Sequence, residues 1–151
     1  MPWVLRHPSF LLWLATLVIW LPWLGNQPLR DWDEGIVASV AHSTMSQPGL
    51  DWLVAVQWTN AYLNKPPGLH WLIGFITTNF TTQEWGIRLG PAIISSLAIP
   101  LLVGLRIELD HPYQHRMGRS RSQFVGSIAG VVLMTLLPMA RHGRLAMLDG
   151  S

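Results

Sequence analysis

The sequence of 151 residues contains no cysteine, which excludes disulfides, thiolate metal sites and cysteine nucleophiles. Charge is also scarce, because 10 basic and 8 acidic side chains make up only 12% of the chain, about half the fraction in soluble domains. With a net charge of only +2, a nucleic-acid-binding face is not expected. Apolar residues are abundant: 50% of the residues are hydrophobic and nine are Trp. This composition predicts an integral membrane protein.

Long stretches without ionisable side chains predict where the chain crosses the bilayer. The run from Pro8 to Leu29 would form a helix of about 33 Å, enough for a hydrocarbon core of about 30 Å. Further spans are predicted at 85–105 and 122–140. A cleaved signal peptide is the alternative for the first run, but bulky Trp residues replace the small residues of a cleavage site. The predicted fold class is all-α and integral to the membrane, with about three transmembrane helices.

The distribution of positive charge predicts which side of the membrane each segment faces. The segment 106–121 holds four of the nine arginines and is therefore predicted to be a cytoplasmic loop. The apolar run 66–83 begins with Pro-Pro-Gly and ends in Thr and Asn, so we expect a re-entrant or interfacial segment instead of a span. The outer loop 30–84 and the residues after 140 would then share the extracytoplasmic face.

The outer loop carries an acidic cluster and the only lysine of the chain. The acidic residues at 31–34 precede apolar residues at helical spacing, which predicts an amphipathic helix with its N-terminus at the cluster. From spacing alone these carboxylates either cap that helix or perform chemistry. Lys65 precedes two prolines, which hold its backbone extended. It is either a snorkelling anchor at the membrane interface or a phosphate-binding side chain.

Four short motifs then suggest a family. They are Asp33-Glu34, Asn64-Lys65-Pro66-Pro67, Arg88-Leu89-Gly90-Pro91-Ala92 and Arg144-Leu145-Ala146-Met147-Leu148-Asp149. Their order resembles the membrane glycosyltransferases of the GT-C type, especially the bacterial aminoarabinose transferases of lipid A and the protein O-mannosyltransferases. The resemblance covers essentially the whole chain. It implies inverting transfer of a sugar from a polyprenyl-phosphate donor to a hydroxyl of a lipid or protein acceptor, at the outer face of a bacterial inner or plasma membrane.

The resemblance also implies roles for individual residues. Asp33 matches the catalytic carboxylate that removes the acceptor's proton, and Asp149 matches a second carboxylate near the site. Lys65 and Arg144 would bind the donor phosphate, whose developing charge needs a cation in a partly dry site. Glu34 would support the catalytic residue.

The sequence leaves the cofactor, the completeness of the site and the class of function partly open. A divalent metal is left open as a cofactor, because related enzymes use one; His42, His70 and His142 are expected to form interfacial hydrogen bonds instead of binding it. Enzymes of this type have more helices than 151 residues allow, so we expect an N-terminal fragment that is inactive alone. The alternatives are a small membrane adaptor or assembly protein and a piece of a secondary transporter. A transporter would carry charges at mid-membrane depth, whereas these charges lie between the apolar runs.

Overall fold

The computed structural model describes residues 8–81, 83–110 and 118–146, and most of them are helical. The helices are α1 (Pro8–Trp20), α2 (Asp33–Met45), α3 (Gly68–Asn79), α4 (Glu84–Ser96), α5 (Ala98–Asp110), α6 (Arg119–Thr135) and α7 (Leu137–His142). Short 3-10 turns lie at Leu21–Trp23 and Asp51–Leu53. A small antiparallel hairpin joins β1 (Val56–Gln57) to β2 (Asn60–Ala61). The all-α class is confirmed, with this hairpin as the element that the sequence did not predict.

Helices α1, α5 and α6 pack side by side and form what we call the stem. Helix α1 is antiparallel to α4 and α5, because Trp13 in its first half donates a hydrogen bond to Ser96 while Leu24 beyond its end contacts Arg88. Helix α6 reverses again, since Gly126 lies beside Val103 and Arg106 of α5, whereas Gly130, one turn later, lies beside Val103 and Ile99. The end of α5 and the start of α6 therefore lie at the opposite end of the stem from residues 24–34.

The ends of the stem helices differ from the predicted spans. The regular helix α1 ends at Trp20, because the chain tightens into a 3-10 turn that contains Pro22. Helix α6 breaks at Leu136, since Pro138 has no N–H to donate to Met134. Helices α4 and α5 follow each other closely and together cover Glu84–Asp110, which is 27 residues long. The most apolar stretch of 18 residues within it has a mean hydropathy of 1.8. Among the described residues, this is the one helix long and apolar enough to cross a membrane, judged by length and composition, whereas the sequence predicted about three.

The outer surface of the stem is apolar. Large side chains that face outward from all three helices include Leu14, Val18, Ile19, Leu101, Leu105, Phe124, Ile128 and Val132. Val18 and Leu101 are more than 65% exposed, and no ionisable side chain lies between Leu89 and Leu105 or between Ser122 and Ala140. An apolar surface of this extent is unusual on a soluble monomer and is typical of a face covered by lipid or by another protein.

Helices α2 and α3 pack against the first half of α4 at one end of the stem, and we call this part the head. Its core comprises Val37, Ala41, Ile73, Ile87 and Ala146, so the end of the described chain closes a core begun by α2. The predicted amphipathic helix after the acidic cluster is α2, and its apolar stripe is buried. Helix α3 occupies most of the run 66–83. Its 12 residues span about 18 Å, less than the thickness of a hydrocarbon core.

Candidate functional site

A buried ion pair between Glu34 and Arg88 joins α2 to α4. Glu34 lies in the first turn of α2 and is 0% exposed, and Arg88 lies in the second turn of α4 and is 4% exposed. The guanidinium binds the carboxylate through two bonds, from Nε to Oε1 at 2.7 Å and from one terminal nitrogen to Oε2 at 2.6 Å. This bidentate geometry is the strong form of a charge-assisted hydrogen bond, and it holds α2 against α4.

The remaining donors of Arg88 hold the chain between α1 and α2. They bind the carbonyl oxygens of Leu24, Gln27 and Pro28 at 2.7 to 3.0 Å, so all five N–H groups of the guanidinium have acceptors. Residues 24–28 form no regular element, and their carbonyls would otherwise need water as a donor. Arg88 therefore shapes the segment that joins the stem to the head.

Glu34 also accepts hydrogen bonds from backbone N–H groups of two other segments. Its Oε2 accepts from the N–H of Arg30 at 3.2 Å, and its Oε1 accepts from the N–H of Ala146 at 3.1 Å. Burial alone would raise the pKa of Glu34, but the hydrogen bonds from Arg88, Ala146 and Arg30 outweigh it and hold the pKa below its ordinary value. Glu34 is therefore charged at neutral pH and joins parts of the chain 112 residues apart.

Acid should weaken the folded state by neutralising Glu34. Because its pKa is lower in the folded chain than the ordinary 4.5, the stabilisation is complete above about pH 4.5 and is lost as the pH falls through the folded value. We expect the thermal unfolding temperature, followed by circular dichroism in a neutral detergent, to fall from pH 4.5 downward. The variant Glu34→Gln should start lower and lose less over the same range. An equally steep acid decline in that variant would contradict the assignment.

The predicted site residues occupy three different environments. Asp33 is exposed at the first position of α2, where the N-cap residue Trp32 makes no side-chain capping hydrogen bond. Lys65 and Arg144 are both half-buried. Asp149 lies outside the described residues. The structure brings Glu34, the supporting residue, into contact with the C-terminal motif, through the N–H of Ala146.

Arg144 lines a polar pocket of about 320 Å³ beside the ion pair, which we call the Arg144 pocket. Its other lining residues are Trp23, Leu24, Asn26, Gln27, Arg88 and Leu145. The Nε of Arg144 is buried and has no hydrogen-bond partner among the residues described. Because the side chain of Arg144 also lines this polar pocket, the pocket carries positive charge and is suited to an anionic ligand.

An apolar pocket adjoins the Arg144 pocket. It has a volume of about 460 Å³, and we call it the Trp85 pocket. It is lined by Leu21, Pro22, Leu24, Gly25, Asn26, Trp85 and Leu89, and it shares Leu24 and Asn26 with the Arg144 pocket. A polar chamber with a cation thus opens beside an apolar one at the end of the stem.

Lys65 lines a different pocket, of about 440 Å³, which we call the Lys65 pocket. Its walls are Leu53, Val54, Ala55, Tyr62, Leu63, Asn64, Pro66 and Pro67. None of these residues lines the Arg144 pocket. The two cations that the resemblance assigns to one donor phosphate therefore lie in separate pockets.

The sequence reasoning missed Arg88 as a site residue, although its motif was noted. The available signal was that Arg88 lies inside the predicted span 85–105, where a buried guanidinium needs a carboxylate partner. Glu34 was assigned only a supporting role. Its partner could not be identified, because 54 residues separate the two side chains.

The three candidate histidines lie in different environments. In residues 8–81, 83–110 and 118–146, no group of three or more His, Asp or Glu side chains is placed to hold a metal ion. His42 is exposed and His142 half-buried, whereas His70 is 0% exposed and burial lowers its pKa. The ring of His70 meets that of Tyr62 edge-on, with 5.5 Å between the centroids.

No protein-family model, curated protein or solved structure matches the chain.

Proposed function

We propose that the chain acts in a membrane, where it takes part in transferring a sugar from a polyprenyl-phosphate donor to a hydroxyl of a lipid or protein acceptor. The observation that carries the proposal is the pair of adjoining pockets at the end of the stem. One pocket is polar and is lined by Arg144 and Arg88, and the other is apolar. A lipid-linked phosphate has the same two parts, an anionic head and a hydrocarbon tail.

The Arg144 pocket suits the head of such a donor. Arg144 supplies the positive charge, and the amides of Asn26 and Gln27 can hydrogen-bond sugar hydroxyls or phosphate oxygens. Arg88 lines the same pocket, but its donors are already used by Glu34 and three carbonyls. We therefore assign Arg88 a positioning role and Arg144 the contact with the phosphate.

The Trp85 pocket suits the first part of the tail. Leu21, Pro22 and Leu89 offer apolar contact, and Trp85 adds a large aromatic surface. The exposed apolar surface of the stem continues from this end of the molecule and supports a location in the bilayer. We place the head on the extracytoplasmic face, because the positively charged segment 106–121 at the other end of the stem is predicted to be cytoplasmic.

The chemistry that we propose uses Asp33 as the base. Its exposed carboxylate takes the proton of the acceptor hydroxyl, and that oxygen forms a bond to the anomeric carbon of the sugar. The bond from this carbon to the phosphate oxygen breaks, and the electron pair leaves with the polyprenyl phosphate. Arg144 offsets the charge that develops on the phosphate. Attack opposite the leaving group inverts the anomeric configuration.

Binding of a short lipid phosphate tests the proposal. Arg144→Gln should weaken binding of farnesyl phosphate by about tenfold or more, because a hydrogen bond to a charged group contributes about 1.5–3 kcal/mol. Isothermal titration calorimetry on the purified chain in a neutral detergent gives the dissociation constants. Arg141→Gln is the matched control, since Arg141 is exposed on α7 and lines none of the three pockets.

Two results would contradict the proposal. If Arg144→Gln and the unaltered chain bind farnesyl phosphate with equal affinity, Arg144 does not bind the phosphate, and the non-enzymatic adaptor is favoured. Equal affinity for inorganic phosphate and farnesyl phosphate would show that the Trp85 pocket does not take the tail.

A further inference from the structure

We propose that His70 is a pH-sensitive switch in the head: in acid its ring takes up a proton, and the stretch 62–67 that covers the ring separates from α3. This stretch forms one wall of the Lys65 pocket. Acid would therefore open the Lys65 pocket reversibly. The inference goes beyond sugar transfer and does not depend on it.

His70 is enclosed where α3 packs against α2. It is the third residue of α3 and is 0% exposed. Gly74 lies one turn later on the same face of the helix, because residues four apart are neighbours. A Cβ atom added at Gly74 would lie 3.0 Å from the carbonyl oxygen of Ala41 on α2. This close contact leaves little space for water between the two helices at that face.

The stretch 62–67 covers the ring of His70 from the other side. The ring of Tyr62 meets it edge-on, with 5.5 Å between the centroids. The N–H of Tyr62 donates to the carbonyl of Ala55 at 2.7 Å, but the stretch has no helix or strand, and its two prolines have no N–H to donate. A stretch of this kind opens at a lower free energy than a packed helix. It is therefore the part of the head that yields first.

The neutral ring of His70 suits this environment, and the charged ring does not. Neither ring nitrogen has a hydrogen-bond partner within the described part of the chain. The carbonyl of Pro66 favours the charged form, but it completes no hydrogen bond of good geometry with the ring. An imidazolium has two N–H donors and a positive charge, and burying them without acceptors is costly. Protonation therefore favours a state in which the ring contacts water.

The charged groups around α3 do not offset this cost. The ionisable side chains on the described elements that surround α3 are Asp33, Glu34 and His42 on α2, Asp51, Tyr62 and Lys65 between α2 and α3, Glu84 and Arg88 on α4, and Arg144. Glu34 and Arg88 bind each other, and Asp33, His42 and Asp51 are exposed. Within the described residues, burial has the largest effect on the pKa of His70 and lowers it, and the carbonyl of Pro66 opposes burial less strongly.

The direction of the pH effect follows from the lowered pKa of His70. In the open head the ring binds a proton below about pH 6.5, its ordinary pKa, whereas in the closed head it binds one only at a lower pH. The closed head is therefore most stable above about pH 6.5 and loses stability as the pH falls from there. The effect of Glu34 begins only at about pH 4.5, so the two effects occur in different pH ranges.

Hydrogen–deuterium exchange measures the opening. The purified chain in a neutral detergent is exchanged at pH 7.5 and at pH 5.5, and the rates are corrected for the intrinsic pH dependence of amide exchange. Protection of peptides that cover Tyr62 and the start of α3 should be about three- to tenfold lower at pH 5.5, because opening lets a group with an ordinary pKa of 6.5 bind a proton. Peptides from α6 should keep their protection.

Two histidine variants assign the effect. His70→Phe keeps an aromatic ring without a titratable nitrogen, so its protection should be the same at both pH values. His42→Phe is the matched control, because His42 is exposed on α2, and it should lose protection in acid as the unaltered chain does. Circular dichroism at pH 7.5 checks the fold of each variant. If His70→Phe does not fold, His70→Gln, which is also neutral at both pH values, replaces it.

Each outcome decides the inference. Unchanged protection of the unaltered chain at pH 5.5 overturns it, whether or not the His70 variants fold. Equal acid losses in the unaltered chain and in the neutral His70 variant overturn it as well, and a loss that is missing from His42→Phe assigns the titration to His42. A loss that extends to α6 shows general acid unfolding in place of a local release. A loss confined to 62–70 that disappears with His70 supports the switch.

Discussion

Replacing Arg88 with Met is expected to lower the free energy of unfolding by about 3–5 kcal/mol. The substitution leaves the carboxylate of Glu34 buried without its counter-ion, and only the N–H groups of Arg30 and Ala146 remain as donors. It also removes the donor from three carbonyls between Leu24 and Pro28. Denaturant titration of the chain in a neutral detergent, followed by circular dichroism, measures the loss.

Arg141 provides the matched control, because it is exposed on α7. Arg141→Met should therefore cost less than about 1 kcal/mol. The double variant Glu34→Gln with Arg88→Met should be less destabilised than the sum of its single variants, because no buried charge is left unpaired. Equal losses in Arg88→Met and Arg141→Met would disprove the central role of the buried pair.

Replacing Asp33 with Asn is expected to reduce sugar transfer by about 10²–10⁴-fold while leaving the fold stable. The exposed carboxylate of Asp33 is the proposed base, and its loss removes the proton acceptor without leaving a cavity. Transfer from a polyprenyl-phosphate donor is measured in membranes of cells whose own gene carries the substitution. The unfolding transition of the purified variant is measured in parallel.

Variants of two neighbouring acidic residues distinguish a catalytic role of Asp33 from a structural one. Asp31→Asn, an exposed acid two positions earlier, should leave both transfer and stability unchanged. Glu34→Gln should lower stability, because Glu34 is buried in the ion pair. Unchanged transfer in Asp33→Asn would exclude Asp33 as the base, and a stability loss like that of Glu34→Gln would assign Asp33 a structural role.

Local patterns in the sequence indicated much of the helical architecture. The spacing of Val37, Val40 and Ala41 predicted α2, and these side chains are buried. The absence of charge between Leu89 and Leu105 corresponds to a long apolar helix. Both features depend on residues that are close in sequence, so periodicity and composition are sufficient to detect them.

Other features depend on residues that are far apart in sequence. The roles of Asp33 and Glu34 differ only because Glu34 points at Arg88, and neither local spacing nor propensity contains that information. The hairpin has two residues in each strand and Trp58 at its turn with a φ of 59°, a conformation that normally favours Gly or Asn. The pockets of Lys65 and Arg144 are separated by packing, which the order of motifs does not reveal.

The bond between Glu34 and Ala146 has a consequence for biosynthesis. The ribosome makes Glu34 well before Arg88, and Ala146 follows 112 residues after Glu34. Until Arg88 emerges, the carboxylate has no counter-ion that would allow it to leave water. The head therefore closes only after α4 is in place, and its final contact waits for the end of α6 and α7, so the Arg144 pocket is among the last parts of the described chain to assemble.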